Sequence, residues 1–418
     1  MRWEDGSYLG AAALAGGLAR ALRRGLPEGW RLRLEARVPE ELGPGWIWLH
    51  AVSVGELMLA EGVLGWLRNQ GYRVHVTTGT PAGYELLRKR QPVWDKGSGQ
   101  VTGGAFPLDD PAGLRSFLAA VPAAFIALET ELWPNLIREL ETRGIPRLIV
   151  NGRLTGRSLE KGGAWLRLAA SRLTAVAARD EASAEAFRRL GAPQVSLGGN
   201  LKADLPPPSP LHAGWELLRK GWAKAGVLVV GNTVEGEEDL LVSAWSGVRQ
   251  RHPDLRMILA PRQPKRFQAV AARFRQLGLR FRRASEEWPA SPESWEGCDL
   301  LLLDTLGELP SAYREGTVAL VGGGWSWHGG HNPLEPARWG LPTLLGPGFT
   351  NFEDLVLPLQ EAGKVSVVEA QALEAELLSL LERTPLRPGE ALVELPPALR
   401  GALGRTCAIL QDALPPPR

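Results

Sequence analysis

Short apolar runs recur along the chain, each broken by a polar or glycine-containing turn and then by a helical pattern. The clearest are Trp46–Val52, Val74–Thr77, Ala124–Leu128 and Arg147–Val150, with weaker candidates at Ala175–Ala178 and Val195–Leu197. Runs of this length bounded by turn residues read as buried strands. The segment after the first run places Leu57, Ala60, Val63, Leu64 and Leu67 at helical spacing. Strands alternating with such helices predict a parallel sheet covered on both faces. At 205–211 the sequence reads LPPPSPL. Consecutive prolines stiffen an extended linker and end any helix. The alternation then restarts at Val227–Val230, Arg256–Ala260, Leu300–Leu303, Val318–Val321 and Thr343–Leu345. The expectation is an α/β protein of two doubly wound domains, 1–205 and 206–418, with a cleft between them.

Polar residues collect just past the C-terminal ends of these runs, where open α/β sheets bind ligands. Ser53 and Glu56 follow the first strand at the spacing of a capping box, so Glu56 reads either as a helix cap or as a site carboxylate. Glu129 and Glu131 follow the third. In the second half, Val318–Val321 runs into Gly322, Gly323 and Gly324, then Gly329, Gly330, His331, Asn332, Pro333, Leu334 and Glu335. A strand, a glycine loop and a helix opening at Pro333 fit a nucleotide-phosphate cradle. The same residues fit a tight turn between two core elements.

Composition removes several classes. A formal net charge of +2 over 418 residues gives no broad nucleic-acid surface. Two cysteines form no disulfide framework, and no Cys/His spacing reads as a metal site. The dinucleotide fingerprint, the Walker A sequence and the G-x-S-x-G elbow are all absent. The arginines at Arg280, Arg282 and Arg283 read as a solvated face. Asp304 reads as a helix cap. Residues 8–22 are apolar but rich in Ala and Gly, too weak for a confident membrane span. With Trp3, Tyr8, Arg20, Arg23 and Arg24, residues 1–25 form either an interfacial membrane-contacting helix or a first helix packed on the domain.

Taken in order, eight segments carry a family resemblance: HAVSVGE at 50–56, ETELWPNLI at 129–137, NGRLTGRS at 151–158, GNLKAD at 199–204, APR at 260–262, LLDTLGEL at 302–309, GGHNPLEP at 329–336 and GP…NF at 346–352. Each alone is weak to moderate; the ordered series resembles the 3-deoxy-D-manno-octulosonic acid (Kdo) transferases from Trp46 to about residue 370. The resemblance implies a glycosyltransferase of the B type, two Rossmann-like domains, moving Kdo from CMP-Kdo to a lipid A precursor. It implies action at the cytoplasmic face of the inner membrane, with no metal or other cofactor. It places the general base on Glu56; Ser53 and Glu131, from their positions just past strand ends, read as acceptor or transition-state support. It places donor contacts on Pro261, Arg262, Leu306, Gly307, Glu308, Asn332, Pro333, Leu334 and Glu335.

The chain departs from the family pattern around the donor loop. Gly324 stands where a Ser is usual, Gln263 where a His is usual, and Asn232-Thr233-Val234 replaces the usual triplet before Gly236. Trp325 and Trp327 lie in the loop, placed either to stack on a sugar or to pack a wall. The alternative reading is another nucleotide-sugar transferase or a sugar epimerase of the same fold. The sequence is silent on oligomeric state.

Overall fold

The computed structural model describes residues 12–19, 21, 25–154, 156–206, 214–223, 225–286, 288, 291–384 and 392–417. The chain divides into two compact units, Met1–Leu205 with Gly401–Arg418, and Pro206–Arg400.

The first unit is built on seven parallel strands: β1 (Ile47–His50), β2 (Val74–Thr78), β3 (Val101–Ala105), β4 (Ala124–Leu128), β5 (Arg147–Gly152), β6 (Ala175–Ala178) and β7 (Val195–Leu197). Their order is β3-β2-β1-β4-β5-β6-β7. Ile47 lies beside Val74 on one side and Ala124 on the other. Every residue of β1, β2, β4 and β6 is buried, which is why β4 and β6 read as unbroken apolar runs, while β1 and β2 bury His50, His75, Thr77 and Thr78 as well. One face packs an aromatic core of Trp46, Trp48, Phe106, Phe117 and Phe125. The other packs the helix Val54–Asn69 through Leu57, Ala60, Val63, Leu64 and Leu67.

The second unit repeats the plan with β8 (Val227–Thr233), β9 (Arg256–Pro261), β10 (Phe281–Arg283), β11 (Leu300–Leu302), β12 (Val318–Val321), β13 (Thr343–Leu345) and β14 (Val365–Val367). All pairs are parallel, in the order β10-β11-β9-β8-β12-β13-β14. Strand order reverses between β1 and β4 in the first sheet and between β8 and β12 in the second. A crevice opens at each reversal, because the neighbouring crossovers leave in opposite directions.

Four features differ from the expectation. Strands β3, β10 and β14 are additional. The C-terminal helix Ala402–Ala413 belongs to the first unit rather than the second. Asp204 accepts from the backbone N–H of Gly401 (3.2 Å) and Leu403 (2.6 Å), and Ala402 and Leu410 join the core beneath β1 and β4. Of the arginines read as a solvated face, Arg280 and Arg282 are exposed, Arg280 pairing with the buried Asp299 (2.7 Å), whereas Arg283 is 14% exposed and pairs with the buried Asp304 (2.6 Å). Asp304 therefore binds Arg283 and the Ser285 hydroxyl (2.7 Å) rather than capping a helix.

Of the expected N-terminal helix, Trp3, Tyr8, Arg20, Arg23 and Arg24 lie outside the described residues. Residues 12–19 and 21 are helical; Gly16 and Ala19 face inward while Leu14 and Leu18 are exposed. No helix among the described residues is long and apolar enough to cross a membrane.

Candidate functional site

The reversal in the first sheet places the loop after β1 beside the loop after β4. Beyond His50 the chain stays extended to Ser53, which caps the helix Val54–Asn69 by accepting the Glu56 N–H. Glu56 reaches back: Oε2 accepts from the Val52 N–H at 2.7 Å, and Oε1 accepts from the Ser53 hydroxyl at 3.1 Å. This is a capping box displaced by one residue, so Glu56 is a helix cap and a crevice carboxylate at once. Burial pushes its carboxyl up to about 7, against the Val52 N–H; the negative charges of Glu129 and Glu131 push it further, and the Ser53 hydroxyl opposes.

Glu129, directly after β4, holds φ at 57° while its N–H donates to the Val150 carbonyl at 3.0 Å. A left-handed non-glycine residue at a strand end is a local cost that the surrounding sheet enforces. Glu131 accepts from the Trp133 indole N–H at 2.7 Å. Behind it His50 is fully buried and stacked on Phe106 at 3.9 Å. Its Nδ1 lies 3.1 Å from the Thr77 carbonyl and 3.0 Å from the Thr77 hydroxyl, and its Nε2 faces Glu131, 3.8 Å away. Burial holds His50 below the ordinary imidazole range, against the pull of Glu131.

The reversal in the second sheet is spanned by a residue the sequence reading passed over. Glu237, fully buried after β8, accepts from the Val234 N–H (3.1 Å) and, across the crevice, from the N–H groups of Gly323 (2.8 Å) and Trp325 (3.0 Å). A carboxylate surrounded by backbone donors fixes the glycine loop more firmly than backbone pairing alone. Its neighbour Glu238 binds Arg266 through both oxygens (2.7 and 2.8 Å) and accepts from the Thr233 hydroxyl (2.7 Å). The only sequence signal was the adjacent acidic pair after a strand and a glycine.

Pro261 and Arg262 leave the end of β9, with the Arg262 N–H bound to the Thr233 carbonyl (2.9 Å) and its side chain exposed. After β11, Gly307 takes φ 88°, Leu306 stands 71% exposed, and Glu308 turns inward to accept from the Thr305 hydroxyl. After β12, Asn332 accepts from the Leu334 N–H (3.1 Å) and opens the short helix Leu334–Arg338. Pro333 caps that helix from one position before the first turn, where the sequence reading had placed it within the turn. Burial pushes Glu335 up to about 7, against the charges of Arg338 and Arg262. Burial, then the charge of Arg262, holds His331 down to about 4, so its ring is neutral at pH 7. The anticipated donor residues thus share the C-terminal edge of one sheet, and Arg262 acts electrostatically on both His331 and Glu335.

The two loop tryptophans part company. Trp325 packs on the core and donates its indole N–H to the Val368 carbonyl at 2.9 Å. Trp327 stays 46% exposed.

Comparison with known proteins follows the same division. Residues 28–205 match the family model described as 3-deoxy-D-manno-octulosonic-acid transferase (kdotransferase). The chain is 34% identical to the 3-deoxy-D-manno-octulosonic acid transferase of Haemophilus influenzae, over 89% of this chain and 88% of the relative. It is 33% identical to that of Bordetella pertussis, over 91% and 90% respectively. Among solved structures, the S. aureus MnaA–UDP co-structure superposes with a TM-score of 0.58 at 11% identity, over 88% of this chain and 96% of that one. At that identity the likeness is one of fold: two Rossmann-like domains of the glycosyltransferase B type.

Proposed function

The chain belongs to the 3-deoxy-D-manno-octulosonic acid transferase family, and on that premise we propose how its two crevices divide the work of a glycosyltransferase of lipopolysaccharide biosynthesis. The donor is CMP-Kdo and the acceptor a lipid A precursor. The epimerase reading is not favoured, since the epimerases among the solved structures share the fold at low identity while the sequence relatives are Kdo transferases.

The observation that carries the mechanism is Glu56. It sits at the strand-order reversal of its sheet, with both carboxylate oxygens held by fixed donors and its carboxyl raised to about 7. A base whose protonation midpoint lies near the working pH is both available and strong enough to take a proton. In the proposed step an acceptor hydroxyl attacks the anomeric carbon of Kdo. Its proton passes to Glu56, and the bond to the CMP phosphate breaks with its electron pair leaving on the phosphate. Configuration inverts because attack and departure lie on opposite faces. Glu131, held by Trp133 and backed by His50, supplies a second negative charge. That charge keeps Glu56 basic and favours the oxocarbenium-like carbon. Ser53 holds the base in its rotamer.

In the second unit, Arg262 meets the donor phosphate as a charge-assisted donor. Glu335 takes the ribose hydroxyls, with Leu306, Gly307, Glu308, Asn332, Pro333 and Leu334 as the surrounding contacts. Glu237 keeps the glycine loop in the shape these contacts need.

The membrane surface is the remaining part of the proposal. Leu14 and Leu18, one helical turn apart, turn an apolar edge to solvent, which suits a peripheral contact with the leaflet that holds the acceptor. Single-turnover transfer by Glu56→Gln, beside CMP binding by the same variant, tests the mechanism. Loss of transfer with CMP affinity retained supports it; near-normal transfer removes Glu56 from the role.

A further inference from the structure

Tyr313 is fully buried in the helix Leu309–Arg314, yet its hydroxyl has no hydrogen-bond partner among the described residues. A buried hydroxyl left unpaired costs stability, so its presence calls for a reason. The side chain reaches the C-terminal end of β8. A Cβ on Gly231 would collide with the hydroxyl oxygen, so only glycine fits there. Gly231 lies beside Val321 of β12, at the strand-order reversal itself. The unpaired hydroxyl therefore sits at the foot of the crevice.

The acceptor within its reach is Glu335. The helix Leu309–Arg314 packs on the helix Leu334–Arg338, and the Arg314 guanidinium lies over the Trp339 ring at 5.9 Å. Across this contact the charge of Glu335 acts on the Tyr313 hydroxyl. The two groups are not bonded to each other, and Glu335 has no hydrogen bond of its own among the described residues. Its ionised form is opposed by burial and supported only by the charges of Arg338 and Arg262. A buried donor and a largely buried acceptor thus lie within electrostatic reach, and neither is satisfied.

The chemistry of the pair is complementary. Burial, then the charge of Glu335, holds the Tyr313 hydroxyl well above its ordinary range, so it keeps its proton and can donate. Glu335, pushed up to about 7, is only partly ionised at pH 7. A group that takes ribose hydroxyls must accept, and a phenol donating to one of its oxygens favours the ionised, accepting form. Movement of the carboxylate toward the hydroxyl satisfies both groups, and the second oxygen is then fixed to meet the ribose.

We propose that Tyr313 is a positioning residue for the donor nucleotide: as the ribose seats, the Tyr313 hydroxyl closes on one oxygen of Glu335 and aims the other at the ribose hydroxyls. The inference rests on the reading of Glu335 as the ribose contact. It goes beyond that reading in assigning the aim of Glu335 to a residue that does not itself touch the ligand.

The test is titration calorimetry with CMP and with dideoxycytidine monophosphate, which lacks both ribose hydroxyls. The wild type is expected to bind CMP ~10-fold more tightly than the dideoxy form. Tyr313→Phe is expected to weaken CMP ~5–10-fold, with the dideoxy form within ~2-fold of wild type. The Tm of the free variant is expected to equal or exceed that of the wild type, because the hydroxyl has no partner there to lose. In a Glu335→Ala background the same change is expected to alter CMP affinity by less than ~2-fold, since the two residues act as one unit. An unchanged CMP affinity in Tyr313→Phe overturns the proposal. So does an equal weakening of both nucleotides, which shows a displaced helix, and so does a lowered Tm of the free variant, which shows a hydroxyl already paired. A wild type that binds both nucleotides equally is a different result: it removes Glu335 from the ribose, and the proposal falls with that reading.

Discussion

Replacing Glu56 by Gln is expected to abolish transfer and stabilise the fold together. The side chain of Gln still accepts from the Val52 N–H, so the helix cap survives. What disappears is a carboxylate held mainly by burial at about 7, against an ordinary 4.5. Between those two values the folded protein binds more protons at this position than the unfolded chain does. Wild-type stability therefore falls as pH rises from about 4.5 to about 7, and the loss persists above. At ~1.4 kcal/mol per pH unit the upper bound is ~3.4 kcal/mol. Glu56 keeps part of its surface in water, and screening brings the expected gain for the variant to ~1–2 kcal/mol. Thermal unfolding should show no difference near pH 4.5 and a Tm higher in the variant by ~2–6 °C at pH 8. Transfer should drop by ~10²–10⁴ in the same preparation. A Tm difference independent of pH, or lower at pH 8, refutes the argument that burial holds this carboxylate near neutrality.

Further consequences follow from the same geometry. Single-turnover transfer by the wild type should rise with pH through about 7 as Glu56 deprotonates, and the residual rate of Glu56→Gln should lack that limb; a limb of equal midpoint in both proteins assigns it elsewhere. Arg262→Ala and Glu335→Ala should each weaken CMP binding tenfold or more, the loss of a charge-assisted hydrogen bond of ~1.5–3 kcal/mol, and titration calorimetry reads it directly. Co-sedimentation with anionic vesicles should fall when residues 1–25 are removed and should fall with salt in the full chain; unchanged binding after truncation moves the contact to another surface.

The buried strands were legible because both faces of a central parallel strand demand apolar side chains. The three additional strands, β3, β10 and β14, are all sheet edges. An edge strand is half solvated, so Val101–Ala105 tolerates two glycines and Phe281–Arg283 tolerates two arginines, and neither makes an apolar run. The C-terminal helix was invisible as a member of the first unit for a different reason. Its periodicity specifies a buried face but not a partner, and the partner is set by Asp204, nearly two hundred residues earlier.

The candidate site divides in the same manner. Glu56 and Ser53 were readable because a capping box has a fixed spacing. Glu237 was not, because its partners, Gly323 and Trp325, are distant in sequence and are engaged through backbone N–H groups that any residue supplies. His50 was hidden inside an apolar run, where only the tertiary approach of Glu131 gives its second nitrogen a neighbour. The tryptophans could not be told apart from sequence: the Val368 carbonyl engages Trp325, and no sequence rule places that carbonyl beside the loop.

The enzyme is defined by the group it transfers and the acceptor that takes it. Mass spectrometry of the products, after incubation of the wild-type protein with CMP-Kdo and a lipid A precursor, tests both most directly. The expected product is a precursor heavier by one or more Kdo residues, with one CMP released for each. A precursor left unmodified by CMP-Kdo but glycosylated when a UDP-sugar is supplied would contradict it.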